Sequence, residues 1–259
     1  MPGPVRRGQA AALALLGLLL SLRPARAGTP DIDSDRGDVT NGVTAVPRGS
    51  LQAEGGLSWS DARRGARAVD LPQGLLRLGV LPHAELRLGV PDYLRAYGGD
   101  ADLSGLGDVS VGVRREFLGL PGGIGAAVTP SVSLPTGAKG VSSGRADPSL
   151  ELTAARGLGA WTLGAMSGFY WQTVGGGRPL TWQPSAALHH PLGAAGDAFI
   201  EYVGRYPEGS APAQTLHAGA TWKPVPTQMV DLGVARGLTD AAPATTVTAG
   251  WSTRFDGLF

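Results

Sequence analysis

Cysteine is absent from all 259 residues. Neither disulfides nor thiolate metal ligands contribute, so stability has to come from one large cooperative structure. Beyond a single stretch near the N-terminus there is no run apolar enough for a helix to cross a bilayer. A block of Lys and Arg able to neutralise a run of phosphates is missing too, which argues against nucleic acid as a partner. Long helices are disfavoured by 41 Gly and 20 Pro, which would break them at short intervals. That composition suits many short strands joined by turns.

The one apolar run explains itself. Residues 1–27 carry Arg6 and Arg7, an apolar stretch from Ala10 to Leu20 and the small-x-small site Ala25-Arg26-Ala27, the pattern of a cleaved secretory signal peptide. Cleavage would remove Arg6, Arg7, Arg23 and Arg26 from the 22 basic residues, leaving the 21 acidic ones in excess. The polar segment 28–46, acidic at Asp31, Asp33, Asp35 and Asp38, reads equally as a disordered periplasmic leader or as a plug folded into a lumen.

From Pro47 onward about twelve segments alternate with period 2, each close to the ~9–11 residues a tilted strand needs to cross a bilayer. In "LQAEGGLSW" (51–59), Leu51, Ala53, Gly55, Leu57 and Trp59 share one face and Gln52, Glu54, Gly56 and Ser58 the other. Connections alternate between short ("LPHA", 81–84; "GLGA", 157–160) and long ("YGGDADLSGLGD", 97–108; "PTGAKGVSSGRADP", 135–148). The expected fold is all-β, a transmembrane up-and-down antiparallel β-barrel of about twelve strands over residues 47–259, of the bacterial outer-membrane type.

Alternation alone does not say which face is outside. Aromatics near strand ends decide for a membrane barrel: Trp59, Tyr93, Phe117, Trp161, Trp171, Trp182, Tyr206, Trp222 and Phe255 stand where an interfacial girdle requires them. The opposite face carries Glu54, Arg77, Glu85, Arg87, Arg114, Glu116, Glu151, Glu201, Arg205, Lys223, Asp231 and Arg254, which would line the lumen, with cross-strand pairs such as Arg77 with Glu85 or Arg114 with Glu151 narrowing it. Small inward positions, among them Gly79, Gly112, Ala127, Ser131, Gly164 and Gly219, would leave room for a thin solute path. The C-terminus "VTAGWSTRFDGLF" ends on Phe255 and Phe259 at one parity, as if the strand ran on to its last residue. It resembles the C-terminal signal read by the barrel assembly machinery.

Catalysis finds little support. His189 and His217 fall on the polar face, while His83 and His190 lie in or beside turns, and none accompanies a Ser-centred motif of the kind a lipid hydrolase needs. The adjacent His189 and His190 point to opposite faces and cannot share a metal ion. No cofactor is called for.

Several stretches resemble one family, the outer-membrane transporters grouped as MetA-pathway of phenol degradation: "DSDRGDVTNGVTAVPRGSLQAEGGLSW" (33–59), "GLGDVSVGVRREFL" (105–118), "PSVSLPTGAKGVSSGRADPSLEL" (130–152) and "DLGVARGLTDAAPATTVTAGWSTRF" (231–255). The resemblance implies a barrel that moves small, often hydrophobic or aromatic solutes across the outer membrane, with membrane lipid and lipopolysaccharide around it. The alternatives are a structural or adhesive barrel without conductance and, last, a lipid hydrolase.

Overall fold

A computed structural model describes residues 30–63, 65–99 and 101–259; the expected signal peptide lies outside them. Fifteen strand segments follow one another: β1 (Leu51–Asp61), β2 (Arg67–Leu71), β3 (Leu75–Leu81), β4 (Ala84–Gly89), β5 (Tyr93–Gly98), β6 (Ala101–Leu106), β7 (Val109–Leu120), β8 (Ile124–Leu134), β9 (Asp147–Leu158), β10 (Trp161–Trp171), β11 (Leu180–Leu192), β12 (Gly196–Pro207), β13 (Ala213–Val225), β14 (Gln228–Gly237) and β15 (Thr245–Phe255). Each pairs antiparallel with its neighbours, and β15 returns to β1 along eleven partners, from Leu51 opposite Phe255 to Asp61 opposite Thr245. The sheet is closed and leaves no free edge.

Twelve staves make the ring, because three are interrupted. β2 and β3 form one stave broken at 72–74, β5 and β4 the next, broken at 90–92, and β6 and β7 the third, broken at 107–108. Pro72 and Pro91 lack the N–H a ladder needs, so regular pairing stops there. Substitute bonds keep the wall joined, from Gly56 N to Pro72 O (2.5 Å), Val90 N to Gly74 O (2.8 Å) and Gly107 N to Asp92 O (2.7 Å). The long connection expected at 97–108 is therefore corrected: most of it is β6, paired with β5 from Gly98 opposite Ala101 to Tyr93 opposite Leu106.

Short turns at 82–83, 121–123, 159–160, 193–195 and 226–227 gather at one end together with the start of β1 and the end of β15. Gly159 sits at φ 67°, the left-handed conformation that such a tight turn requires and only Gly adopts freely. Longer connections at 135–146, 172–179, 208–212 and 238–244 occupy the other end. The tail does not extend the last strand as expected. β15 stops at Phe255, the chain turns at Gly257 (φ 75°), Leu258 N donates to Gly49 O (2.7 Å), and Phe259 is left 70% exposed.

The two faces of the wall differ as the alternation implies. Leu86, Val111, Leu163, Ile200, Leu216 and Leu232 are exposed on the outside, while Glu54, Arg77, Glu85, Arg114, Glu116 and Glu201 are buried inside. Phe117, Trp161, Trp222 and Phe255 stand toward the short-turn end; Trp59, Tyr93, Trp171, Trp182 and Tyr206 stand toward the other. Val111 lies mid-strand between Leu88 and Val132. Val111→Arg is expected to destabilise the assembled barrel by about 2–4 kcal/mol, the cost of a charge at the lipid-facing midplane, read as a lowered urea midpoint in lipid vesicles. Arg205→Leu, on the inner face and outside any ion pair among the described residues, should leave that midpoint nearly unchanged. Equal losses from both would invert the assignment of faces.

Candidate functional site

The interior is not an empty tube. Residues 30–46 enter at the short-turn end, loop into the lumen and return at that same end beside the start of β1, filling it as a plug without strand or helix. Arg254 Nη2 donates to Pro30 O (2.6 Å) and Ile32 N to Pro226 O (2.7 Å) at the entrance. At the exit Val46 N donates to Glu85 Oε2 (2.6 Å) and Ala45 N to Glu116 Oε2 (2.5 Å).

Between these ends the acidic wall residues each grip the plug. Glu54 accepts Asp35 N (3.2 Å), Glu201 accepts Val39 N (2.9 Å), Thr40 N (2.6 Å) and Thr40 Oγ1 (2.6 Å), Glu151 accepts Asn41 Nδ2 (2.8 Å), and Asp231 pairs with Arg36 (3.1 Å). A segment without a ladder of its own must find partners for its backbone N–H groups once buried. Charged acceptors provide the stronger kind of bond.

One plug residue gathers the wall cations. Asp35 takes a two-pronged bond from Arg114 (Nη1–Oδ1 2.8 Å, Nη2–Oδ2 2.7 Å), a pair with Arg87 at 2.6 Å and Arg77 at 3.7 Å. Arg77 in turn pairs with Glu85 (2.8 Å) and Glu54 (3.0 Å) and donates to the carbonyls of Asp33 (3.1 Å) and Thr44 (2.9 Å). Arg77, Arg87 and Arg114 are thus balanced by Asp35, Glu54 and Glu85, the arrangement that makes buried charge tolerable. Burial pushes the Asp35 carboxyl up, but the guanidiniums of Arg114, Arg77 and Arg87 outweigh it and hold it well below the usual carboxylate range.

Of the expected cross-strand pairs, Arg77 with Glu85 forms. Arg114 with Glu151 does not: Arg114 is claimed by Asp35, and Glu151 bonds Asn41 and the hydroxyl of Tyr170 (2.8 Å). Arg205 and Lys223 also face inward, and among the described residues neither forms an ion pair. His189 bridges the plug to the wall, with Nε2 2.9 Å from Asp38 Oδ2 and Nδ1 3.0 Å from Asp197 Oδ1. His217 Nδ1 lies 3.1 Å from Glu201 and His83 Nδ1 2.5 Å from Glu116, while His190 packs edge-on against Trp161.

The small inward residues divide: Gly112 and Ser131 line a cavity, whereas the space beside others is taken. A Cβ at Gly79 would strike the carbonyls of Val46 and Pro47, one at Gly164 would press on Thr40, and one at Gly219 on the ring of Phe199. Gly56 and Gly250, across the β1–β15 seam, are covered by the Arg36 guanidinium. At Gly56, Gly79, Gly164 and Gly250 glycine makes room for the plug, and at Gly219 for a ring of the wall itself.

Free space remains above and below it. Toward the long-loop end lie two adjoining cavities of about 390 and 280 Å³, both reaching Ser133, Ser149 and Tyr170. A cavity of about 320 Å³ lies toward the other end, bounded by Asp38, Asn41, Ala155, Gly164, His189 and Phe199.

A sequence family described as "Putative MetA-pathway of phenol degradation" matches residues 34–255. The chain belongs to this family. The match takes in most of the plug as well as the barrel, so the segment that fills the lumen is part of the family's shared sequence. No curated protein matches the chain. Among solved structures, the COG4313 outer membrane channel from Pseudomonas putida F1 is similar at a TM-score of 0.64 and 14% identity, over 82% of this chain and 98% of that one. The NanC porin is similar at 0.54 and 10%, over 78% and 98%, and the KdgM porin in complex with disordered oligogalacturonate at 0.52 and 10%, over 80% and 99%. At such identities the likeness is one of fold. The protein is a transmembrane β-barrel of the bacterial outer-membrane type.

Proposed function

We propose that this family member is an outer-membrane channel for small solutes, compact hydrophobic or aromatic ones in particular, with residues 30–46 as its plug. The observation that carries the proposal is the pair of chambers on opposite sides of the plug, about 280–390 Å³ outside and about 320 Å³ inside. A solid barrel with only a structural role has no reason to keep both. The family's description, which names phenol degradation, supports the aromatic preference. The short-turn end with both chain ends is the periplasmic one in this reading. Residues 1–27 direct export, lipid and lipopolysaccharide contact the outer face and its aromatic belts, and the β15 strand ending in Phe255 and the exposed Phe259 engage the assembly machinery. Transport rather than hydrolysis suits the histidines, since the polar partners of His83, His189 and His217 are carboxylates and not serine hydroxyls.

The test is uptake into cells whose other outer-membrane channels have been deleted, so that the envelope limits entry. Expression should raise accumulation of a labelled monocyclic aromatic several-fold and leave a disaccharide unchanged. Equal uptake of both, or of neither, overturns the proposal.

A further inference from the structure

Along β9 the inward side chains pass from the outer chamber to the inner one in two steps: Glu151 lines the outer cavity, Thr153 is 3% exposed, and Ala155 lines the inner cavity. Four residues of strand amount to about 13 Å. The septum between the chambers is therefore a single layer of side chains. On the plug side it is closed by Asn41, whose amide donates to Glu151 Oε2 (2.8 Å), while Tyr170 from β10 donates its hydroxyl to Oε1 (2.8 Å).

Two features set this spot apart from the rest of the plug's seat. Among the described residues no cation stands within ion-pair range of Glu151, unlike Glu54 and Glu85. One step deeper, the Thr153 hydroxyl is buried and has no hydrogen-bond partner. A buried hydroxyl left unpaired is costly and calls for an explanation.

We propose that Asn41, Glu151 and Tyr170 form the selectivity element of the channel, a reading that rests on the transport function above and adds the class of solute. An ionised carboxylate only accepts hydrogen bonds. Anything that takes the place of the Asn41 amide on Glu151 must therefore donate one, as a phenolic or alcoholic hydroxyl does. The exchange conserves the bond to the carboxylate, and Thr153 is the next group the hydroxyl meets. An anion has no proton to donate in place of the amide and, beyond Arg205 in the outer chamber, meets at Glu151 a carboxylate without an ion-pair partner in a narrow, poorly screened passage, where like charges repel strongly. The element thus admits small neutral molecules bearing a hydroxyl, and cations, and turns anions back.

Purified full-length protein in planar bilayers tests this. In a KCl gradient the wild type should show a cation-selective reversal potential, and Glu151→Gln should bring it to near zero. Benzyl alcohol, which donates, should reduce the ionic current by occupying the septum; anisole, of similar size without a donor, should not. Asn41→Ala, a change in the plug that leaves the wall untouched, should raise unit conductance at least twofold. Heat-modifiability on gels checks that each variant is a closed barrel. An unchanged reversal potential in Glu151→Gln, or equal block by anisole, overturns the proposal. If wild type and Asn41→Ala are silent while a chain without residues 31–46 conducts, the septum assignment is wrong and the channel reading stands. Silence of all three removes the channel reading itself.

Discussion

Asp35→Lys should unseat the plug. The carboxylate of Asp35 is the hub of a cluster with Arg77, Arg87 and Arg114, whose side chains are 0–10% exposed. Removing one partner of a buried ion pair costs about 3–5 kcal/mol, because the other charge is left uncompensated. That corresponds to a shift of roughly 10²- to 4 × 10³-fold in the balance between seated and released plug. A fourth cation in place of the carboxylate adds repulsion. Two readings should move together. Trypsin should cut at Arg36, which the seated plug holds against Asp231 and Gln73, and single-channel recordings should show long openings absent from the wild type. A paired change of Asp35→Lys with Arg114→Glu should restore part of the protection. Persistent protection of Arg36 in the single variant would mean that the remaining anchors suffice without Asp35.

The pH dependence of this anchor follows from its sign. A carboxyl whose pKa is lowered in the folded state contributes its full stability above its unfolded value, about 3.9, and loses it only as pH falls toward the depressed value. Asp35 is lowered in this sense. Mild acid down to about pH 4 should therefore leave its bond to the three arginines in place.

The wall was legible in the sequence and the plug's seat was not, for a physical reason. Each strand stands between lipid and a polar interior, so every second residue reports its environment. Pairing such as Gln52 opposite Arg254 follows from parity and strand order. β5 and β6 escaped notice because "YGGDADLSGLGD" is rich in turn formers, and the ring rather than propensity makes Ala101–Leu106 a strand. The plug has no period, and its bonds span the chain: Arg36 reaches Asp231, and Thr40 reaches Glu201. What the wall could show was that charges and small residues lay inward, not what they faced. Hence Arg77, Arg87 and Arg114 read as a lumen lining, whereas they hold Asp35, and Gly79 and Gly164 read as free space, whereas they accommodate Val46 and Thr40. A signal was present in the glycines themselves. Gly56, Gly79, Gly125, Gly164 and Gly250 all face inward, and each abuts a plug residue. A wall that only had to enclose water would gain nothing from omitting side chains there.

Deleting residues 31–46 while keeping Pro47 and all that follows should convert the protein into a constitutively open pore. The barrel does not need the plug to close, since β1 and β15 pair through eleven positions without it. A ring of twelve staves is wider than the eight-stranded case in which side chains alone fill the interior. With the plug gone, water reaches Glu54, Glu85, Glu116, Glu201 and Asp231, which the plug's amides and Arg36 had satisfied. Rehydration removes most of the cost of leaving them unpaired. Heat-modifiability and β-rich circular dichroism should therefore survive, while conductance rises far above that of Asn41→Ala. Selectivity should also change character. Among the wall groups named here Arg77, Arg87, Arg114, Arg205, Lys223 and Arg254 remain beside six acidic ones, Glu151 included, and in a wide, salt-screened lumen charges more than about 10 Å from a passing ion hardly act on it. Discrimination between benzyl alcohol and anisole should disappear, because no plug side chain is left for a solute to replace. A deletion variant that folds as a closed barrel yet passes no ion would make the lumen a sealed structural core, and the protein a scaffold in the outer membrane.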